Sequence, residues 1–370
     1  MTQTTPTRTR NQGTRGPRVA ALHIVFPPHR YPQSQLTAAL TARMPTKSAA
    51  RTYLAQKVQS NAGVTARHFS LPLDELLELT GRNDFTETNR VWLDTALELG
   101  QQALTEALHT AGMDPQEVDA LFSTTVTGLA VPSLEARLAH RMGLRQDIKR
   151  IPLFGSGCAG GAAGLARLHD YLRAHPGHVA VLLAVELCSL VYRQKDTSMA
   201  NVVAGGLFGD GAAAVVAVGP HRPGTLAGPE LTDTHSWLVP DTEDTLGWEI
   251  GSFGFKILLA PEVPVLTEEY IPKAVHDFLG RHSLIPSQIS SWIVHGGGPK
   301  VLTAVERALG LPPEALTLTR QSLAARGNLS SVSVLDVLHT AFKTPPPPGT
   351  PGLVIAMGPG FAIEQVLLHW

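Results

Sequence analysis

The segment Pro115-Gln116-Glu117-Val118-Asp119-Ala120-Leu121-Phe122 decides the fold, because Pro286-Ser287-Gln288-Ile289-Ser290-Ser291-Trp292-Ile293 repeats its pattern in the second half of the chain. Each octet follows a helical periodicity and runs into an apolar strand. Continuing in register, Cys158 falls opposite Asn328, at 158 − 115 = 43 and 328 − 286 = 42 residues beyond the aligned prolines. Leu165, Leu168, His169 and Leu172 then meet Leu335, Leu338, His339 and Phe342, the same helix face at the same offsets. The repeat predicts two copies of one α/β unit, divided near Gly219–Gly228, with Cys158 and Asn328 at equivalent helix starts. The corresponding units are residues 18–222 and 223–370.

Outward from the first octet, Leu93 to Gly112 reads as a helix and Asp119 to Val126 as a strand. A helix near Leu134 to Met142, a strand at Arg150 to Phe154, a helix from Ala159 to Arg173 and the strand Val179 to Val185 follow. Upstream, Val19 to Pro28 reads as a buried strand ended by prolines. The strands are continuous apolar runs, as expected when helices cover both faces of a sheet. Residues 1–17, rich in threonine and arginine with no acid, read as a disordered basic tail in preference to a transit peptide.

Charged residues are 16% of the 370 and hydrophobic ones 43%, which excludes disorder for the bulk of the chain. Thirty basic residues against 31 acidic ones provide no field for a phosphate backbone, so nucleic acid is not an expected partner. No apolar stretch approaches the ~20 residues of a membrane span. Two cysteines, Cys158 and Cys188, make no disulfide framework, and with no apolar signal segment at the start they point to a reducing cytoplasmic setting.

The chemistry gathers at Phe154-Gly155-Ser156-Gly157-Cys158-Ala159-Gly160-Gly161, a strand, a glycine turn and a helix start. A thiol at that corner is expected to gain acidity from the unpaired N–H groups of the helix. A small buried cysteine filling space is the plainer alternative. Gly155-x-Gly157-x-x-Gly160 also spells a dinucleotide fingerprint, but the turn lies in mid-domain and Glu186, the acid ending the next strand, comes 186 − 160 = 26 residues on. In the second half His295 ends the strand Trp292-Ile293-Val294 before Gly296-Gly297-Gly298-Pro299, where a ligand can approach the backbone. Asn328 is placed equally well for helix capping or for chemistry. If the halves pack about a pseudo-twofold axis, Cys158, His295 and Asn328 line one cavity.

These residues, with Phe208-Gly209-Asp210-Gly211-Ala212, His295-Gly296-Gly297-Gly298-Pro299-Lys300, Gly327-Asn328-Leu329-Ser330-Ser331 and Gly358-Pro359-Gly360-Phe361, resemble the thiolase superfamily. Within it the chain is similar to type III polyketide synthases, the chalcone synthase-like enzymes, over roughly Arg18 to Trp370. The resemblance implies a layered αβαβα fold and a homodimer. Cys158 would be the nucleophile that takes an acyl group from a coenzyme A thioester. His295 would help keep it as thiolate and, with the Asn328 amide, would donate hydrogen bonds to the malonyl-CoA thioester oxygen as decarboxylation builds charge there. It implies no metal and no redox cofactor. Phe208 and Phe255 match the gate between the coenzyme A tunnel and the cavity, and core packing is the alternative for each. Lys300, Lys57, Gly297 and Gly298 are the candidates for coenzyme A contact.

The positions aligned with the cavity are Val126, Thr127, Val131, Val191, Phe208, Phe255 and Ser330, several of them apolar. An apolar lining suits an aliphatic chain. With Val185 to Leu190 and Ser198 to Asn201, the pattern resembles bacterial synthases that make alkylpyrones and alkylresorcinols. The resulting expectation is a medium- or long-chain fatty acyl-CoA starter extended with malonyl-CoA. A malonyl-CoA-primed, naphthol-forming synthase is the second reading; a class III ketoacyl-carrier synthase or a non-catalytic acyl-CoA-binding protein stands behind it. Cys188 is expected to be structural.

Overall fold

The computed structural model describes residues 15–46, 48–223 and 228–370. Most of the expected basic tail, residues 1–14, lies outside the described residues. The chain is already engaged within the stretch assigned to that tail: the Gly16 amide donates to Glu230 Oε1 at 2.8 Å and the Pro17 carbonyl accepts from Leu231 N at 2.8 Å.

The described strands of the first half are β1 (Arg18–Val25), β2 (His29–Pro32), β3 (Ala66–Phe69), β4 (Ala120–Thr124), β5 (Lys149–Leu153), β6 (Val179–Leu187) and β7 (Asp210–Val218). Those of the second are β8 (Glu230–Leu238), β9 (Leu246–Gly251), β10 (Gly254–Leu259), β11 (Ser291–Val294), β12 (Pro351–Gly358) and β13 (Ala362–His369). Nine of them form one sheet in the order β11-β12-β13-β8-β1-β7-β6-β4-β5. The order is nearly palindromic. β4 runs parallel to β6, which is antiparallel to β7, which is antiparallel to β1. β11 runs parallel to β12, which is antiparallel to β13, which is antiparallel to β8. β1 and β8 meet at the centre through Arg18 opposite Glu230. The two aligned prolines each open a short 3-10 turn, Pro115–Glu117 and Pro286–Gln288, ahead of β4 and β11.

The strand alternation sorts side chains into layers. Val181, Leu183 and Val185 of β6 join the core under the helix Phe85–Ala111, while Ala180, Leu182 and Ala184 face the helices Gly160–Ala174 and Ser331–Lys343. On β12, Val354 and Ala356 face the same two helices, and Leu353, Ile355 and Met357 pack under Val263–Gly280 and Pro299–Leu309. The central helix pair is therefore shared by both halves, giving an αβαβα arrangement. Every residue of β6 and β7 is buried, which is why both read as unbroken apolar runs.

The helix expected from Leu93 begins at Phe85. Asp84 caps it, its side chain accepting from Thr86 N at 2.8 Å and Glu87 N at 3.2 Å. Its first turns are polar and partly exposed, so the apolar period starts later than the helix does.

Candidate active site

The two helix starts that the repeat made equivalent converge. A Cβ on Gly160 would lie 3.1 Å from Ser331 Cβ, and one on Gly161 would lie 2.3 Å from the Ser331 carbonyl oxygen. Only glycine permits that approach. Cys158 sits in the 3-10 turn Gly157–Ala159 that leads into the first of these helices. Gly157 takes φ +49°, and a Cβ there would stand 2.6 Å from Pro359 Cδ. The Gly358–Phe361 turn is thus the surface against which the nucleophile turn is moulded.

The sulfur of Cys158 lies 3.8 Å from Ser330 Oγ, and the Asn328 amide is near enough to favour its thiolate. The Asn328 side chain is held by the bonds that its Oδ1 accepts from Ser330 N at 2.8 Å and Ser333 Oγ at 3.3 Å. This leaves the amide nitrogen as the group free to face the sulfur and a substrate oxygen. His295 directly follows β11, its backbone N–H donating to Ile355 O at 2.8 Å. Its imidazole is buried, Nδ1 has no partner among the described residues, and burial lowers its pKa to about 4. At neutral pH it is an uncharged ring. Gly297 lies alongside that ring: a Cβ on it would be 3.6 Å from Nε2.

Burial pushes the Cys158 thiol up to about 12, and the Glu186 carboxylate adds to this, while the bonds from Ser330 and Asn328 pull the other way. The acidity expected from the helix start is outweighed by desolvation, because the sulfur is ringed by protein although part of the residue is exposed. The resting pair is a thiol with a neutral imidazole.

Glu186 has a role that the sequence reading did not assign to it. It ends β6 fully buried, and it accepts from Val126 N (3.1 Å), Thr127 Oγ1 (3.2 Å), Ser330 Oγ (3.2 Å) and Ser331 Oγ (2.6 Å). Burial raises its pKa to about 7, against which those bonds act. An acid closing an otherwise apolar buried strand was the signal available for it. Asp210 of the Gly-Asp-Gly motif is a tie between loops, accepting from Ser189 N and Ser70 N at 2.7 Å each.

The remaining candidates separate. Thr127, Val191 and Phe255 line a cleft of about 400 Å³; Val191 and Phe208 line a second of about 480 Å³, together with Cys188 and Arg67. Phe255 is wedged edge-on between Phe85 and Trp248. Val126 is buried and meets Glu186 through its backbone. Val131 departs from expectation, since it is 97% exposed on a surface loop and lines neither of these clefts. Neither of these clefts includes Cys158, His295 or Asn328, and the groups bonded around Cys158 and Glu186 are polar, Ser330, Ser331 and Thr127. Lys57 and Lys300 are both exposed, each at the end of its helix nearer the other: Gly63, after the Lys57 helix, would place a Cβ 3.9 Å from Pro299. Gly298 takes φ +142° and leads into the helix that carries Lys300. No helix of the described residues is long and apolar enough to cross a membrane, and none of their His, Cys, Asp and Glu side chains cluster in a way that could hold a metal ion.

Comparison with known proteins gives the same site a family. Residues 5–221 match the N-terminal domain of chalcone and stilbene synthases, and residues 230–370 match the C-terminal domain. A 1,3,6,8-tetrahydroxynaphthalene synthase of Streptomyces peucetius subsp. caesius is 50% identical over 96% of this chain and 94% of its own length. A phloroglucinol synthase of Pseudomonas fluorescens is 29% identical over 94% of this chain and 97% of its own. The crystal structure of the tetrahydroxynaphthalene synthase of Streptomyces coelicolor A3(2) superposes with a TM-score of 0.89 at 32% identity, covering 95% of this chain and 99% of that one.

Proposed function

We propose, for a chain that belongs to the chalcone and stilbene synthase family and is a type III polyketide synthase, that malonyl-CoA serves as both starter and extender and that the product is a polyhydroxylated naphthalene. The observation that carries this is the 50% identity, over nearly the full length of both chains, to a tetrahydroxynaphthalene synthase. It reverses the order of the two expectations drawn from the sequence, in which a fatty acyl starter stood first. The polar groups around Cys158 support the same order, because a poly-β-keto chain carries an oxygen on every second carbon and needs hydroxyl and amide partners.

In this reading Cys158 attacks the thioester carbon of the starter, the bond from that carbon to the coenzyme A sulfur breaks, and coenzyme A leaves as its thiol, carrying the proton that Cys158 gives up. A second malonyl-CoA then loses CO2, and the electron pair of the broken C–C bond becomes an enolate. The Asn328 amide and the His295 ring donate to its oxygen, and neither adds a competing negative charge. Attack of the enolate carbon on the Cys158 thioester extends the chain by two carbons and frees the sulfur. Phe208 and Phe255 border the space into which the chain grows, and Lys57 and Lys300 meet the coenzyme A phosphates at the rim. The enzyme works as a homodimer, with Val131 and Phe154, exposed at the same end of β4 and β5, on the shared face.

The test is incubation with malonyl-CoA alone, then with a series of fatty acyl-CoA starters, with products identified by mass spectrometry. Malonyl-CoA alone should release CO2 and give an aromatic product. Alkylpyrones formed from long-chain starters, with nothing from malonyl-CoA alone, would reverse the assignment.

A further inference from the structure

Arg67 is a buried guanidinium with no carboxylate in hydrogen-bond contact among the described residues. It stands on β3, away from every motif that identified the site. Nη1 donates to Phe208 O at 2.6 Å, Nη2 to Gly205 O at 2.8 Å, and Nε to Gln33 Oε1 at 3.0 Å. Gln33 in turn donates through Nε2 to Gly206 O at 2.8 Å, and Leu207 O accepts from Asn328 N at 2.8 Å. The helix Met199–Leu207 therefore ends with the carbonyls of 205, 206, 207 and 208 each taken by a donor from elsewhere in the chain. A helix C-terminus has such orphan acceptors and a partial negative charge, and a fixed cation answers both.

The clamp closes on two site residues. Phe208 and Asn328 form a two-residue parallel bridge, completed by Gly209 N donating to Asn328 O at 2.9 Å. The Arg67 stem fills the space beside that bridge. A Cβ on Gly327, which takes φ +75°, would lie 2.9 Å from Arg67 Cδ, and one on Gly209 would lie 3.6 Å from Arg67 Cβ. Nothing larger than hydrogen fits between Arg67 and Gly327.

We infer that Arg67 is a positioning residue that fixes the backbone of Phe208 and, through the bridge, the distance from the Asn328 amide to the reacting thioester oxygen. A planar fork reaching two carbonyls at once is what lysine cannot reproduce. The inference rests on Asn328 acting as the oxyanion donor.

The experiment compares Arg67→Lys, Asn328→Ala and the double variant. Each is assayed for CO2 release from malonyl-CoA and for alkylation of Cys158 by iodoacetamide, a reaction that needs no oxyanion donor. Arg67→Lys should lower kcat for decarboxylation about thirtyfold or more with KM changed less than about threefold, and alkylation should slow by no more than about fivefold, the worth of the one bond that Asn328 offers the sulfur. Added to Asn328→Ala, it should cost nothing further, since the group it positions is gone. An active Arg67→Lys beside an inactive Asn328→Ala would overturn the inference alone. So would losses that multiply in the double variant, or that are equal in both assays. Full decarboxylation by Asn328→Ala would overturn the role of Asn328, and the inference with it. If Arg67→Lys does not fold, Gln33→Met, which removes the Nε acceptor and the Gly206 cap, is read by the same outcomes.

Discussion

The Ser330 hydroxyl lies 3.8 Å from the Cys158 sulfur and donates at 3.2 Å to Glu186 Oε1, so one side chain joins the nucleophile to a buried carboxyl. Ser330 holds this place at φ +51°, a left-handed conformation that costs a non-glycine residue energy. The resting thiol donates to Ser330 Oγ; once its proton is gone the Ser330 hydroxyl can turn from Glu186 to the sulfur, and Ser330→Ala removes that bond to the thiolate. Alkylation of Cys158 by iodoacetamide should slow by roughly fivefold, the equivalent of one hydrogen bond of ~1 kcal/mol. Ser330→Gly should slow it equally, yet unfold at a higher temperature than Ser330→Ala because the backbone strain is gone. Equal melting temperatures would remove the strain argument.

Glu186 gives a pH dependence with a fixed sign. Its carboxyl goes from an ordinary 4.5 to about 7 in the folded protein, so the folded state holds the proton more tightly. The stability this contributes is fully present below pH 4.5 and lost as pH rises through 7. Glu186→Gln, which can keep the Val126 and Thr127 bonds on its oxygen, should flatten the decline. The variant should gain on the parent between pH 5 and 8 by up to about 3 kcal/mol. The ionised carboxylate also raises the Cys158 pKa, so alkylation at pH 8 should be faster in the variant. Slower alkylation there would show that the carboxylate assists the thiol instead of opposing it.

Gly157→Ala tests the nucleophile turn. The new methyl would meet Pro359 at 2.6 Å in a backbone at φ +49°, and both effects destabilise, together by about 2 kcal/mol or more. Activity should fall along with the melting temperature. Pro359→Ala should restore part of it by removing the clash and leaving the strain. No recovery in the double variant would mean that the turn is shaped by something other than Pro359.

His295→Ala and Asn328→Ala should each lower CO2 release from malonyl-CoA by about 10²–10³, the usual effect of losing one oxyanion donor. Cys158 should remain open to alkylation in both. Because the His295 imidazole is neutral above pH about 4, its protonation should leave no mark on the rate between pH 6 and 9. An acid limb in that range that disappears in His295→Ala would contradict the neutral ring.

Val131→Asp puts a charge on a side chain that is 97% exposed in the single chain. In a monomer it should be silent, within about 0.5 kcal/mol. With Val131 on a shared face, sedimentation should show dimer giving way to monomer at micromolar concentration. An unchanged dimer would move the face elsewhere.

The repeat, and with it the convergence of Cys158 and Asn328, was legible because a duplicated αβ unit leaves marks in one dimension: the prolines, the strand entries and the helix faces recur at fixed offsets. The central helix pair could be named in advance for that reason. The cavity was not legible in the same way. Val131 and Val126 sit in positions that align with cavity residues, yet one faces outward and the other contributes its backbone, and neither fact follows from residue type. Glu186 was visible as an anomaly, an acid ending a buried strand, but its partners come from Thr127 and from Ser330 and Ser331, distant in sequence. The start of the long helix at Phe85 was hidden because its cap, Asp84, precedes two turns of polar residues.

The contact at Gly160, Gly161 and Ser331 ties chemistry to assembly of the fold. The proposed nucleophile belongs to one copy of the repeat and the proposed oxyanion donors to the other, and their helices meet across a hydrogen-sized gap. A methyl at Gly161 would have to push aside the Ser331 carbonyl, which lies 2.3 Å from where it would stand, and so would part the two copies at the place where their residues must cooperate. Turnover thus acts as a gauge of how closely the two similar units are seated: a side chain added at this seam would be registered by the reaction.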